Sequence, residues 1–455
     1  MGDLVGFERI HLVGVGGTGM SGLAKLLAQA GHTVSGSDIK PGRAVASLQR
    51  ADVETWVGHR PERAGDWDLV VASSAVPERD PEMAAARESG VEVWERPALL
   101  AEMTARMPAI GISGTHGKTS TTAMTVAALR ALGRDPSFMV GGEMAYLNTN
   151  AHLGERDLFV LEADEAFGTF CDLRIRALVV TNVEADHLDH YGRVERLEAA
   201  FRDVASSVAG PVVVCLDDPG AARLASTVPG VVGYGTGRDA TWRVTDMDHD
   251  GTSVAFRLLH EGDTFEVAVP RPGTHMALNA AGVLALLGEV GFDVAGAASG
   301  LAAFGGVRRR FEVKARVGGI TVVDDYAHHP TEIAATISAI RLGKPGRVLA
   351  VFQPHRYTRT QELWREFGPA LAGADVVVVS DVYAAGEPPI PGVTGRLVAD
   401  AAAAEGAKVS YVPRRADLAE EVAQLARRGD VVVMLGAGDI TLVADEVAAR
   451  LGAGR

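Results

Sequence analysis

A glycine-rich loop with a lysine stands at residues 114–120, where the sequence reads Gly-Thr-His-Gly-Lys-Thr-Ser. An apolar stretch precedes it and a Thr- and Ala-rich stretch follows, which is the strand–loop–helix context of a phosphate-binding loop. There Lys118 would meet the β- and γ-phosphates and the Thr119 hydroxyl would bind Mg²⁺. Ile112 stands where the usual spacing has its first Gly, so the loop is a shorter variant. A structural turn without a ligand is the alternative. The candidate nucleotide-binding residues of the loop are Gly114, Thr115, His116, Gly117, Lys118, Thr119 and Ser120.

A second glycine-rich turn occupies residues 14–19. Gly14, Gly16 and Gly19 match the dinucleotide-binding fingerprint, and Asp38 lies 19 residues after Gly19. Glycines let backbone N–H groups and a helix N-terminus approach a diphosphate, and an acid after the next strand can bind a ribose hydroxyl. The pattern indicates a diphosphate but does not by itself indicate a nicotinamide. A tight turn with no ligand remains the alternative.

Acids and histidines follow two further predicted strands. Glu162 ends an apolar run and begins Glu-Ala-Asp-Glu at 162–165, and Asp-His-Leu-Asp-His stands at 186–190. Parallel sheets place ligand-binding groups at the carboxyl ends of their strands. These turns could hold one or two divalent cations, with Mg²⁺ preferring oxygen and Mn²⁺ also compatible with a His ligand. Solvated acidic turns are an equally good interpretation.

Two loops in the last third of the chain combine acids, histidines and arginines. They read Asp-Asp-Tyr-Ala-His-His-Pro at 324–330 and Gln-Pro-His-Arg-Tyr-Thr-Arg at 353–359, each after a predicted strand. Arg captures carboxylates in a bidentate way, which favours a site for an amino acid or a phosphorylated carboxyl group. Taken alone, each loop could equally be a capped turn.

The elements that carry these motifs alternate between strand and helix patterns along the chain. Apolar, β-rich runs at 10–15, 109–113, 321–324 and 347–353 each lead into helical spacing, which predicts parallel sheets. Residues 241–270 instead alternate polar and apolar residues around Asp-Gly and Glu-Gly turns, which predicts antiparallel hairpins. The sequence predicts an α/β fold of three domains: 1–108 and 312–455 as Rossmann-like domains, and 109–311 as a P-loop-type ATPase domain with an added antiparallel part.

Composition restricts the class of protein. With 44 basic and 58 acidic residues, the net charge of −14 argues against nucleic-acid binding, so a phosphate site must be local. No apolar run reaches the roughly 18 residues that a membrane span needs, and no signal-peptide pattern follows Met1, so a cytoplasmic protein is expected. Cys171 and Cys215 offer no disulfide framework, and both are expected to be small core residues.

These motifs, in this order, resemble those of the Mur ligase family over nearly the whole chain. The resemblance also rests on His-Leu-Val-Gly-Val-Gly-Gly-Thr-Gly-Met-Ser-Gly at 11–22, Asn-Val-Glu-Ala-Asp-His-Leu-Asp at 182–189 and Arg-Arg-Phe-Glu at 309–312. It implies three α/β domains that bind a UDP-sugar, ATP and an amino acid in turn. The glycine-rich turn at 14–19 would then hold the diphosphate of the UDP-sugar rather than NAD.

The resemblance also implies roles for individual residues. Catalysis would depend on Lys118, Glu162, His187, His328 and Arg310. His275 and Asn279 would add to the ATP site, and Thr119, Glu162 and His187 would surround Mg²⁺. The UDP-sugar residues would be Gly14, Gly16, Gly17, Gly19, Asp38, Ser73 and Ser74. The residues that bind the amino-acid substrate would be Tyr326, His355, Arg356 and Arg359.

The implied reaction joins L-alanine to the lactyl carboxylate of UDP-N-acetylmuramate through an acyl phosphate, in peptidoglycan precursor synthesis and cell-wall biogenesis. ATP and Mg²⁺, or Mn²⁺, would be the cofactors, with no nucleic-acid or membrane partner. A ligase that adds a preformed peptide to the same UDP-sugar is the nearest alternative. An NAD-dependent oxidoreductase would leave the loop at 114–120 without a role. A non-catalytic nucleotide-binding regulator would leave the arginine and histidine loops without one.

Overall fold

The computed structural model describes residues 6–453. Residues 1–5 and 454–455, at the outer ends of the first and third predicted domains, lie outside the described part. The contacts divide the chain into two compact units. The first unit comprises Met1–Thr245, Arg257–Val267 and Leu278–Gly305, and the second comprises Asp246–Phe256, Ala268–Ala277 and Gly306–Arg455. The domain boundaries near residues 108 and 311 stay predictions.

The N-terminal sheet is parallel. Its strands are β1 (Arg9–Val13), β2 (Thr33–Asp38), β3 (Glu54–Val57), β4 (Leu69–Ala72) and β5 (Glu92–Glu95), in the order β3-β2-β1-β4-β5. The helices are α1 (Thr18–Gln29), α2 (Arg43–Gln49), α3 (Pro81–Glu88) and α4 (Arg96–Arg106), with a 3-10 helix at Pro61–Asp66. β1 was expected to reach residue 15 but ends at Val13, because Gly14 takes a φ of +79° and turns the chain. Ser37 then accepts hydrogen bonds from the Gly14 and Val15 amides.

The central sheet is mostly parallel and carries antiparallel additions. Its strands are β6 (Ala109–Ser113), β7 (Pro136–Met144), β8 (Thr149–His152), β9 (Glu155–Glu162), β10 (Ile175–Val180), β11 (Val212–Cys215), β12 (Val232–Gly235), β13 (Trp242–His249), β14 (Val254–His260) and β15 (Asp263–Val269). Their order is β15-β14-β13-β12-β11-β10-β6-β9-β7-β8. The turns at 250–253 and 261–262 are too short for a parallel crossover, so β13, β14 and β15 form the predicted hairpins.

Six helices are described around the central sheet: α5 (Lys118–Ala131), α6 (Leu188–Tyr191), α7 (Val194–Ser207), α8 (Pro219–Thr227), α9 (Thr274–Glu289) and α10 (Val294–Ala302). A 3-10 helix spans Ala166–Asp172. One continuous apolar core joins the N-terminal sheet to the central one within the first unit, from Ile10 to Val228. Cys215 is buried, as expected, but the prediction for Cys171 is wrong: this residue is exposed on the 3-10 helix.

The C-terminal sheet is parallel except at one edge. Its strands are β16 (Glu312–Val317), β17 (Ile320–Asp325), β18 (Arg347–Phe352), β19 (Val376–Val379), β20 (Lys408–Tyr411) and β21 (Asp430–Leu435), in the order β16-β17-β21-β18-β19-β20. β16 runs antiparallel to β17. The helices are α11 (Pro330–Leu342), α12 (Tyr357–Ala372), α13 (Gly395–Ala404), α14 (Arg415–Leu425) and α15 (Thr441–Ala453).

Apolar clusters fill both faces of this last sheet, as a wound α/β domain requires. The predicted fold class of three α/β parts is confirmed. Among residues 6–453, no helix combines the length and apolar character needed to cross a bilayer.

Candidate active site

The turn at 14–19 packs closely against its neighbours. A Cβ on Gly14 would lie 3.1 Å from Ser73, and one on Gly19 would lie 2.9 Å from the Arg96 guanidinium. The Gly16 amide donates a 2.9 Å hydrogen bond to the Asp38 carboxylate. The predicted UDP-sugar residues therefore surround one turn at the start of α1. Gly17 and Ser74 are exposed there, while Asp38 and Ser73 are half-buried.

The loop at 114–120 connects β6 to α5 and is held in shape by the turn after β10. The His116 amide donates to the Asn182 side chain at 2.7 Å, and the Thr181 hydroxyl donates to the His116 carbonyl at 2.6 Å. Gly114 and Gly117 take φ values of +128° and +83°, which L side chains rarely adopt. A Cβ on Gly114 would also collide with the Thr181 hydroxyl. The loop shape thus depends on glycine at both positions.

The ammonium of Lys118 is enclosed by oxygen atoms. It donates to the Gly114 carbonyl at 2.7 Å and to both carboxylate oxygens of Glu165 at 2.7 and 3.0 Å, with Asp164 at 3.3 Å. Burial would lower the pKa of Lys118, but the charges of Glu165 and Asp164 raise it above its ordinary value. Burial raises the pKa of Glu165 while Lys118 opposes that rise. We take this pair as ionised at neutral pH because its two short contacts join a cation to a carboxylate.

The three predicted metal-binding residues stand at the carboxyl edge of adjacent strands. Glu162 ends β9, Thr119 lies at the start of α5 after β6, and His187 lies in the turn after β10, and the sheet order is β10-β6-β9. The Gly141 amide donates a hydrogen bond to the Glu162 carboxylate. A carboxylate, a hydroxyl and an imidazole fit Mg²⁺ through their oxygens and Mn²⁺ through all three. The donor set therefore suits a divalent cation.

Helix α9 carries the two residues that are predicted to add to the ATP site. His275 and Asn279 are four positions apart on it, so they lie on one face of the helix. Asn279 is buried, and a Cβ on Gly117 would lie 3.0 Å from its side-chain oxygen. Burial lowers the pKa of His275 to about 4, so its imidazole is neutral at physiological pH. Asn279 therefore adjoins the phosphate loop directly.

In the second unit, the turn before β16 and the turn after β17 are joined by a buried carboxylate. Asp325 accepts hydrogen bonds from the amides of Phe311 and Ala327, at 2.9 and 2.8 Å. Burial raises the pKa of Asp325 to about 6. The guanidinium groups of Arg309 and Arg310 both lie 4.9 Å from the ring centre of Tyr326. Arg310, which is predicted to be catalytic, is thus in contact with Tyr326, which is predicted to bind the amino-acid substrate.

Two histidines from different loops approach each other. β17 and β18 are separated by β21 in the sheet, but the His328 and His355 rings above them lie 6.0 Å apart. Burial lowers the pKa of His328 to about 3 and that of His355 to about 4, so both are neutral at physiological pH. Nδ1 of His328 faces the Tyr326 carbonyl at 3.0 Å and Glu332 at 3.3 Å. Since both are acceptors, Nδ1 carries the proton and Nε2 is left as an acceptor.

The two arginines after β18 differ in their surroundings. Arg356 donates from Nε to Glu387 at 2.5 Å and has a φ of +70°, while Arg359 is buried in the first turns of α12. Glu387 also accepts from the Thr358 hydroxyl at 2.7 Å. We call Tyr326, His328, His355, Arg356 and Arg359 the histidine–arginine cluster. The structure brings these predicted residues together at the carboxyl edge of the C-terminal sheet.

Some residues of these sites were not among the candidates. Glu165 is the principal partner of Lys118, 47 positions away in sequence, and Asn182 and Thr181 shape the phosphate loop. Glu387 lies 31 positions from Arg356. The motif at 162–165 did contain Glu165, but spacing alone does not show which of its acids reaches the lysine.

Comparison with known proteins finds one family along the chain. Three sequence profiles match in succession: the Mur ligase family catalytic domain at 9–107, the Mur ligase middle domain at 112–287, and the Mur ligase glutamate ligase domain at 309–438. The UDP-N-acetylmuramate–L-alanine ligase of Mycolicibacterium vanbaalenii is 44% identical over 98% of this chain and 96% of its own length. That of Acidothermus cellulolyticus is 45% identical over 96% of this chain and 93% of its own length.

A solved structure is similar as well. The UDP-N-acetylmuramate–alanine ligase of Thermotoga maritima superposes with a TM-score of 0.85 at 28% identity, covering 98% of this chain and all of that one. The family resemblance seen in the motifs is thereby confirmed over nearly the whole chain. The chain belongs to the Mur ligase family.

Proposed function

We propose that this chain is an ATP-dependent ligase that joins L-alanine to the lactyl carboxylate of UDP-N-acetylmuramate, releasing ADP and phosphate, in peptidoglycan precursor synthesis. The observation that carries the ATP requirement is the glycine-rich loop that presents Lys118 at the carboxyl edge of the central sheet. The substrates follow from relatives at 44% and 45% identity that are named for this reaction.

The first chemical step is attack of the lactyl carboxylate on the γ-phosphorus of ATP, which forms an acyl phosphate and ADP. Lys118 and the loop amides neutralise and orient the phosphates, so no enzyme nucleophile is needed. Thr119, Glu162 and His187 would hold Mg²⁺ or Mn²⁺, which would supply further charge neutralisation. Asn279, beside Gly117, and His275 on the same helix face would bind the adenine.

The second step is attack of the neutral amine of L-alanine on the acyl carbon, which forms the amide and expels phosphate. The histidine–arginine cluster would bind this amino acid, with Arg359 as the carboxylate ligand. Nε2 of His328 is an acceptor at neutral pH and would hydrogen-bond the incoming amine. The UDP diphosphate would lie at the turn formed by residues 14–19, beside Asp38 and the exposed Ser74.

Phosphate release assayed with each substrate omitted in turn tests the proposal. We expect release only when ATP, UDP-N-acetylmuramate and L-alanine are all present. Replacing L-alanine by other amino acids and by a preformed peptide tests the alternative activity. Faster turnover with the peptide than with L-alanine would assign the chain to the peptide-adding reaction instead.

A further inference from the structure

The ammonium of Lys118 is held by an anion at the place where a bound phosphate must come. An ammonium group has three N–H donors. Their acceptors are the Gly114 carbonyl at 2.7 Å, the Thr115 carbonyl at 3.3 Å and the two Glu165 oxygens at 2.7 and 3.0 Å. A phosphate oxygen that binds Lys118 must therefore compete with Glu165 and these carbonyls for the N–H donors of the ammonium, and Glu165 is the partner that makes two of the contacts.

Glu165 is fixed in this position by its surroundings. Its side chain is 1% exposed. Its carbonyl accepts hydrogen bonds from the Tyr191 hydroxyl at 2.7 Å and the Gly168 amide at 2.9 Å. The following residues Phe167 and Gly168 are left-handed, with φ values of 55° and 69°, so the chain turns sharply away. Glu165 is thus built into the fold rather than resting on Lys118 as a mobile surface acid.

The neighbouring acid Asp164 provides a contrast within the same turn. Its carboxylate lies 3.3 Å from Lys118, against 2.7 Å for Glu165, and its side chain is 31% exposed. Water therefore screens the Asp164 pair more than the Glu165 pair. If only the negative charge near the loop affected nucleotide binding, Glu165 and Asp164 would have similar effects on it. If the direct contact with Lys118 affects nucleotide binding, Glu165 has the larger effect.

We propose that Glu165 is a positioning residue that holds Lys118 at the phosphate loop and is displaced by the phosphates of the nucleotide. This inference rests on the proposed ATP-binding role of the loop. Nucleotide binding then includes breaking a buried ion pair, which weakens the apparent affinity. The strength of the Glu165 contact therefore affects how readily Lys118 changes its partner from Glu165 to the phosphates of the nucleotide.

The test is the Kd of ADP, with Mg²⁺ present, measured by titration calorimetry on the full chain. We expect Glu165→Gln to lower the Kd about ten-fold, because a charge-assisted contact no longer competes with the phosphates. The matched control Asp164→Asn should change the Kd at most about three-fold. In a Lys118→Ala background, Glu165→Gln should have no more effect than the control, because the lysine that links it to the phosphates is gone.

The outcomes separate this inference from the proposed function. If the wild-type protein binds no ADP, the proposed function fails. If the wild-type protein binds ADP but Glu165→Gln leaves the Kd unchanged or raises it, the inference fails and the proposed function stands. Should Glu165→Gln not fold, as judged by circular dichroism, Glu165→Asp serves instead. It withdraws the carboxylate by one methylene, so it should also tighten ADP binding, and weaker binding would overturn the inference.

Discussion

Replacing Gly114 by Ala should damage nucleotide binding while leaving the UDP-sugar site intact. Gly114 has a φ of +128°, where an L residue is strained by about 1 to 3 kcal/mol. The added Cβ would also meet the Thr181 hydroxyl, which donates to the His116 carbonyl at 2.6 Å. Displacing that hydroxyl loses a hydrogen bond of about 0.5 to 1.5 kcal/mol. A total near 3 kcal/mol, borne by the loop, corresponds to roughly a hundred-fold rise in the Kd of ADP.

Gly133→Ala is the matched control for this change. Gly133 also has a positive φ, +77°, but a Cβ there would meet nothing within 4 Å. It should therefore lower the melting temperature without changing the Kd of ADP. Calorimetric titration of both variants with ADP and with UDP-N-acetylmuramate decides the matter. The reasoning is refuted if Gly114→Ala binds ADP as tightly as the wild type, or if both variants lose ADP affinity equally.

Three further predictions concern the other parts of the site. Glu162→Ala and His187→Ala should each raise the Mn²⁺ concentration that half-saturates the protein, measured by electron paramagnetic resonance with ADP bound. Unchanged Mn²⁺ binding in both variants would show that these acidic turns hold no metal. Arg359→Lys should raise the KM for L-alanine roughly 10- to 150-fold with little change in the KM for ATP. Arg356→Lys should also disturb the contact with Glu387. A rise in the KM for ATP alone in Arg359→Lys would place Arg359 at the nucleotide. The pKa of His328 in the folded protein is about 3 against an ordinary 6.5, so its contribution to stability is present above about pH 6.5 and is lost as the pH falls toward 3. In urea unfolding, the difference in the free energy of unfolding between the wild type and His328→Gln should shrink over that pH range. A constant difference would contradict this prediction.

Strands made of a continuous apolar run were easier to predict from the sequence than strands of mixed composition. β6, β17 and β18 were recognised because they are continuous apolar runs buried on both faces. The strands at Glu54–Val57 and Lys408–Tyr411 were missed. Both lie at sheet edges and mix exposed with half-buried residues, so their composition does not distinguish them from loops. Burial, which the sheet order determines, provides most of the readable signal.

Contacts between residues far apart in the chain are the part of the site that the sequence does not predict. The glycine-rich turns could be read because their function requires glycine at fixed local spacing, as at Gly14 and Gly114. The partners of Lys118 and Arg356 could not be read, because Glu165 and Glu387 are brought to them by strand order and loop path. The sequence also did not show that β21 separates β17 from β18, since β21 comes from near the end of the chain.

The central claim is that ATP activates the lactyl carboxylate as an acyl phosphate before L-alanine attacks. UDP-N-acetylmuramate labelled with ¹⁸O at both oxygens of that carboxylate tests it most directly. In the proposed reaction one carboxylate oxygen bonds to the γ-phosphorus and leaves with it when the amide forms. Mass spectrometry should therefore find one ¹⁸O in each phosphate released, together with one alanyl product per phosphate. Product formation with unlabelled phosphate would contradict the account.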